Sequence, residues 1–498
     1  MDLFFVSRDR VQRWPALFDG LGTEAVGLLD HRALPDGLPM ILDTGLRPVE
    51  PACMWFRHLA YMGRDPEGTL RPYAYIVLRL MEFLAERGRE LSTATESDLV
   101  AYRRSRVELQ DQPVGGAAWD REASVINSLF GWLVEQGFRQ VGPLRMGNRN
   151  GSSSGSRLPR ENRNPLSSGM SRDMDIRHLS LDQYRFFRDV GLGGQRLDGS
   201  VDRGFRGWAP HRNRAAADLA LTSGMRLQEW STVLLPELAV GMRRAGEPIE
   251  FVLQACAKYK KRRTAYVPPD ALGSIDTFVL LERPEIVAPM ARALERRHRE
   301  LLVVFEIDYA RGRLRAQWRG RSREFAWSAM TPKLRRLAVY EGPHGLEPLA
   351  VFVGHGSTLL SSSSWDRIRH MAWDRMTAVR DDSRAPMLPV KRWRFHDLRH
   401  TFALRLLAFL MRRAMERDAA IRGGRSVAAH IAFNPLLIVS RRLGHSSPAV
   451  TYEYLRYLEE PMQYVDAAFT EWSASDGDTY ADIALRALGT EAGHAEAR

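Results

Sequence analysis

Two stretches decide the reading of this chain. They are Phe395-His396-Asp397-Leu398-Arg399-His400-Thr401-Phe402-Ala403 and Leu443-Gly444-His445-Ser446-Ser447-Pro448-Ala449-Val450-Thr451-Tyr452-Glu453-Tyr454-Leu455. In the first, Leu398, Phe402, Leu406, Phe409 and Leu410 recur at helical spacing, so His396 and Arg399 share a face near the N-terminal end of a helix. The first turn of a helix offers unpaired N–H groups to an anion, and a guanidinium and an imidazole beside it add further donors. A phosphate site is the expectation. In the second stretch Ser447-Pro448 is a cap followed by a first-turn proline, which places Tyr454 inside the next helix and His445 in the turn before it.

Further upstream, Leu221-Thr222-Ser223-Gly224-Met225-Arg226-Leu227-Gln228-Glu229-Trp230 follows a helical run, with Gly224 marking a turn and Arg226 opening the next helix. Residues 251–268 read as a hairpin, with Lys258-Tyr259-Lys260-Lys261-Arg262-Arg263 around the turn. Only five of the 72 basic residues are lysines and the other 67 are arginines. Three lysines within four positions therefore mark a place where arginine does not serve. An ammonium of depressed pKa can give up a proton, whereas a guanidinium effectively cannot.

His396-x-x-Arg399, then Leu443-Gly444-His445, then a Tyr nine residues beyond that His resembles the C-terminal signature of the tyrosine recombinases, the phage-integrase family. Arg226, with Glu229 three residues later, resembles the family's first arginine motif, with Met225 where the family often has Leu. The resemblance implies a mainly α fold with a small β-sheet or hairpin, and a two-domain architecture of helical core-binding domain plus mixed catalytic domain. It implies a site-specific recombinase or integrase that cuts and rejoins DNA through a covalent 3′-phosphotyrosine. Tyr454 would attack phosphorus, Arg226 and Arg399 would neutralise the non-bridging oxygens, and His396 would help remove the tyrosine proton or hold the phosphate. His445 would donate a hydrogen bond to a phosphate oxygen, and a hairpin lysine would protonate the leaving 5′ oxygen. Aligning Arg263 with the family's arginine selects Lys258; counting back from Pro268 selects Lys260; Lys258 is preferred. The set requires neither metal nor cofactor. The implied partners are double-stranded DNA and further copies of the chain, a tetramer in synapsis. A type IB topoisomerase-like nicking-closing enzyme and a catalytically inactive DNA-binding relative are the alternatives. A metal-dependent phosphohydrolase built on His396-Asp397 would need further His and Asp ligands at helical spacing, and no convincing set is present.

Composition agrees with a polyanionic partner, since the net charge is +12 over 498 residues. That length suggests two or three domains. No apolar run is long enough to span a bilayer and the first residues are interrupted by charges, so a cytoplasmic, nucleoid-associated bacterial protein is expected. Cys53 and Cys256 are the only cysteines, too few for a disulfide framework or a cysteine-rich zinc site.

Residues 1–50 carry more acid than base and read as a structural extension. Four amphipathic helices follow over residues 51–142, similar to the family's core-binding domain. Residues 143–175 form a basic, flexible linker rich in Gly, Ser and Arg. Its Gly151-Ser152-Ser153-Ser154-Gly155 formally matches a hydrolase nucleophile elbow but lacks the flanking strand and helix. The catalytic domain spans 176–470, with insertions near 285–345, where 307–314 suggests a second hairpin, and near 412–430. A tail over 471–498 carries a short amphipathic helix at about 479–488.

Overall fold

A computed structural model describes residues 1–7, 34–144, 176–244, 246–354, 359–420, 434–445 and 449–457, with residues 10, 27–28, 31–32 and 166–167 as isolated pieces. The chain is mostly helical with small sheets, and it divides between Asp173 and Met174 into two compact units.

In the first unit, strands β1 (Asp2–Phe5) and β2 (Pro39–Leu42) pair antiparallel beside four helices, α1 (Glu50–Tyr61), α2 (Arg71–Glu86), α3 (Glu96–Arg104) and α4 (Gly116–Glu135). Trp55, Phe56, Val77, Leu80, Trp119, Ile126 and Leu129 fill one core at helical spacing. Leu38 and Ile41 join the same core, so this part of the extension is built into the helical unit. The start of α3 is a capping box, in which Asp98 N donates to Thr95 Oγ1 and Thr95 N donates to the Asp98 carboxylate. One expectation fails here. Leu166 and Ser167, within the stretch read as a flexible linker, are fastened to α4: Trp119 Nε1 donates to Leu166 O at 2.6 Å and Ser167 Oγ to Asp120 Oδ1 at 3.0 Å. A buried indole N–H needs an acceptor, and the linker backbone supplies it. Residues 145–165 and 168–175 lie outside the described residues, as does the tail helix expected at 479–488.

The second unit begins with α5 (Leu181–Arg185), which runs into a π-helical segment (Phe186–Leu192), then α6 (Pro210–Ser223) and the single turn α7 (Leu227–Trp230). The basic hairpin is β3 (Ile249–Leu253) against β4 (Arg263–Val267), with Leu253 opposite Arg263. Helices α8 (Pro269–Leu281), α9 (Arg283–Val287) and α10 (Ala291–Arg296) lead through the stretch read from sequence as the larger insertion. It is more than the expected hairpin. Strands β5 (Leu302–Asp308), β6 (Arg313–Trp318) and β7 (Arg321–Ala326), helix α11 (Pro332–Leu337), and strands β8 (Ala338–Gly342) and β9 (Gly345–Pro348) make a five-stranded sheet ordered β7-β6-β5-β8-β9. Ile307 does pair with Leu314, but the parallel β5–β8 pairing adds strands that local periodicity could not announce. Leu302, Val304, Leu314, Ala316 and Met330 give this sheet its own core. A buried bidentate pair anchors it, with Arg335 Nη2 donating to Glu237 Oε1 at 2.6 Å.

Four helices complete the unit: α12 (Ser362–Ala378), capped by Ser361, α13 (Phe395–Ala420), α14 (Pro435–Leu443) and α15 (Ala449–Tyr452). Residues 412–420, within the stretch read as an insertion near 412–430, continue α13, and residues 421–433 lie outside the described set. One further correction arises. Tyr454 is not in an α-helix, because α15 gives way after one turn to a 3-10 segment, Glu453–Tyr457. The Ser447-Pro448 cap lies outside the described residues.

Candidate active site

The site is assembled where the ends of α6 and α14 meet the first turns of α13. Helix α6 stops at Gly224, whose φ of +61° favours glycine, and a Cβ there would lie 2.4 Å from the Phe402 ring. Glycine is thus demanded by backbone and by space. The turn delivers Arg226 to the N-cap of α7, where its backbone N–H donates to Glu229 Oε2 at 2.6 Å and its Nη1 to Oε1 at 3.4 Å. Arg399, 2 % exposed, donates through Nη1 to Gly224 O and through Nη2 to Leu443 O at 2.6 Å. One guanidinium fork therefore ties α13 to the C-terminal carbonyls of both other helices.

The hairpin closes the other side. Arg263 is ion-paired with the buried Glu229, and its Nη1 donates to Arg442 O at 2.9 Å. Lys261 Nζ donates to His445 O at 2.7 Å. Lys258 and Lys260 stand exposed on the 3-10 turn Lys258–Lys260. Lys261, which was neither of the two weighed from sequence, is thus bonded to a candidate site residue.

His396 and His400 project one helical turn apart on α13, their rings edge-to-face with centroids 4.7 Å apart. His400 Nδ1 and the Tyr454 hydroxyl form a hydrogen bond of 2.9 Å. The Tyr454 ring stacks on His445, centroids 6.1 Å apart and planes 5° from parallel, while His445 Nδ1 and Thr451 Oγ1 share a hydrogen bond of 2.9 Å. Tyr454 itself is 1 % exposed, packed with Ala403, Leu404, Leu407, Val439 and Leu443. Arg226, His396, Arg399, His445 and Tyr454 therefore come together. His400, Lys261 and Thr451 join them without having been singled out; His400, four residues after His396, lay on the same helical face and could have been.

Electrostatically the cluster is overloaded with cations. Burial, followed by the fields of Arg399, Arg226 and Arg394, pulls His396 down to about 4. His445 falls to about 3, through burial and then Arg399, Arg226 and Arg263. Arg399 is lowered to about 9, by burial and then by Arg226. Burial raises Tyr454 to about 12 although Arg399 and Arg226 pull the other way. Such a pocket is stabilised by an incoming anion, since a negative charge offsets every one of these repulsions. Among the described residues no three His, Cys, Asp or Glu side chains cluster as a metal site, and no helix is long and apolar enough to cross a membrane.

Comparison with known proteins adds the following. Residues 54–137, the stretch of α1 to α4, match the family model of the phage integrase N-terminal SAM-like domain. No curated protein matches the chain. Among solved structures it is similar to the XerH site-specific recombinase bound to a palindromic difH substrate in a post-cleavage complex, at 13 % identity and TM-score 0.45, over 94 % of this chain and 95 % of that one. It is also similar to the Tn1549 transposon integrase in complex with transposon right end DNA, at 12 % identity and TM-score 0.44, over 85 % and 99 %. The XerA recombinase aligns at 13 % identity and TM-score 0.27, over 86 % and 99 %.

Proposed function

We propose that this chain is a site-specific DNA recombinase that cuts and rejoins strands through a covalent 3′-phosphotyrosine on Tyr454. One observation carries the reading: Arg226, His396, Arg399 and His445 converge on Tyr454 in a pocket where burial and neighbouring arginines lower His396, Arg399 and His445, and where Glu229 offsets those arginines only in part. The match of residues 54–137 to a phage integrase domain supports it independently. A net charge of +12 suits a DNA partner.

In this reading a phosphodiester enters beside Arg226 and Arg399, whose forks meet its non-bridging oxygens as charge builds in the transition state. His396 and His445 add donors to the same oxygens. Tyr454 attacks phosphorus, the bond to the 5′ oxygen breaks, and Lys258 on the hairpin turn protonates that oxygen. The phosphotyrosine conserves the bond energy, so a new 5′-hydroxyl can reverse the step. The exchange takes place in a tetramer of this chain on two DNA sites.

A nicked suicide duplex, which loses its 5′ fragment on cleavage, tests the reading. A protein–DNA adduct stable to denaturant, with the DNA on a Tyr454 peptide by mass spectrometry, is the expected result. Adduct on another residue, or none on any genomic site that the protein protects, overturns it.

A further inference from the structure

Tyr454 keeps its hydroxyl on His400, the residue after Arg399 and one turn beyond His396. We propose that His400 takes the phenolic proton as Tyr454 attacks phosphorus, and so is a catalytic residue of strand cleavage rather than a core histidine. The inference rests on the recombinase reading above and deepens it.

Geometry comes first. His400 Nδ1 lies 2.9 Å from the Tyr454 hydroxyl, within direct transfer distance, whereas His396 turns its ring toward His400. A neutral imidazole has one accepting nitrogen, and a buried phenol needs an acceptor; assigning Nδ1 as that acceptor satisfies both. The surroundings come second. The groups facing His400 are His396, Arg399, Arg394 and His445, besides Tyr454 itself. Burial and these cationic neighbours hold its imidazole at about 3 in the free protein, so it is a poor base there. A phosphodiester seated against Arg399 opposes their fields and makes His400 more basic. Proton removal is thereby tied to the presence of DNA, and the free protein carries no exposed phenolate.

The step balances. The Tyr454 oxygen–phosphorus bond forms, the bond from phosphorus to the 5′ oxygen breaks, the phenolic proton goes to His400 Nδ1, and the leaving oxygen takes a proton from the hairpin lysine. On religation the 5′-hydroxyl returns a proton to the lysine, and Tyr454 recovers its own from His400.

Single-turnover cleavage of the suicide duplex by the full chain tests this with His400→Asn, whose amide can occupy the place of Nδ1 and keep the hydrogen bond but cannot accept the proton. DNA affinity should hold while cleavage slows by roughly 10²- to 10⁴-fold, the usual weight of a general base. Difluorotyrosine at position 454, a phenol that ionises more readily, should then recover at least about tenfold of the loss in the same variant, as expected when proton removal limits the rate. Near wild-type cleavage by His400→Asn, or no recovery on fluorination, overturns the proposal. If that variant does not fold, the pH–rate profile with His400 in place decides: its acid limb belongs to the imidazole and stays put when Tyr454 is fluorinated. A limb that moves with the phenol overturns the proposal. The unaltered chain is the control, since failure to form any adduct there is failure of the recombinase reading itself.

Discussion

Glu229 and Arg263 form a fully buried ion pair that joins the arginine turn of α7 to the returning strand of the hairpin. The same carboxylate oxygen accepts from the Arg226 backbone, so one side chain fixes both the arginine and the strand that follows the lysines. Removing one partner of such a pair strands the other charge. Glu229→Ala should cost about 3–5 kcal/mol of stability, and Glu229→Gln less, because its one amide oxygen can still accept from the Arg226 backbone and from Arg263. Urea unfolding monitored by tryptophan fluorescence checks this; equal midpoints for Glu229→Ala and wild type would show that the pair contributes nothing.

Tyr454→Phe should bind specific DNA as the wild type does and form no covalent complex, because only the attacking oxygen is lost. It also leaves His400 Nδ1 buried without its partner, a stability loss of about 1–3 kcal/mol. Tyr452 is the rival nucleophile, 55 % exposed and two residues away. Adduct formation by Tyr454→Phe, mapped to Tyr452, would move the role.

How far the site was legible depended on how local each determinant is. His396, Arg399 and Gly224 could be placed because helical period and glycine turns are short-range signals. The 3-10 turn carrying Tyr454 escaped, since whether α15 continues past Tyr452 is decided by packing of Tyr454 against α13 and α14. The five-stranded sheet escaped for a related reason: Leu302–Val304 pairs in parallel with Ala338–Tyr340 across more than thirty residues, and nothing local encodes such a partner. Lys261 was passed over because lysine spacing in a turn does not reveal which ammonium reaches across to the His445 carbonyl.

The lysines can be separated by leaving-group chemistry. Lys258→Ala should cleave slowly on a normal strand and regain most of its rate when the bridging 5′ oxygen is replaced by sulfur, which leaves without a proton. Lys261→Ala should not be rescued, because its ammonium holds the His445 turn in place. Rescue of Lys261→Ala or Lys260→Ala in place of Lys258→Ala would relocate the general acid.

Cleavage should persist in excess chelator, since the positive charge offered to the phosphate comes from Arg226 and Arg399. Covalent complex measured with and without chelator gives the answer, and strict dependence on an added divalent ion would contradict the arrangement.

The stability of the chain should fall on mild acidification. His396, His400 and His445 are held at about 4, 3 and 3 in the folded protein, well below the usual histidine value near 6.5. Between those limits the unfolded chain binds protons that the folded one refuses, so protons favour unfolding. The histidine contribution is complete above about pH 6.5 and is lost as pH drops toward 4 and then 3, each histidine giving a slope of up to about 1.4 kcal/mol per pH unit. The carboxylates held low, Asp98 and Asp382 at about 2, act mainly below pH 4, and Asp397, pushed up by burial, works against the histidines, so the fall between pH 6.5 and 5 is the histidine contribution less that of Asp397. Unfolding in urea across that window should show a steadily falling midpoint. His400→Asn should flatten the slope by roughly a third of the three-histidine total if the three titrate independently. An unchanged slope would mean that His400 is readily protonated in the folded protein, contrary to its burial among cations.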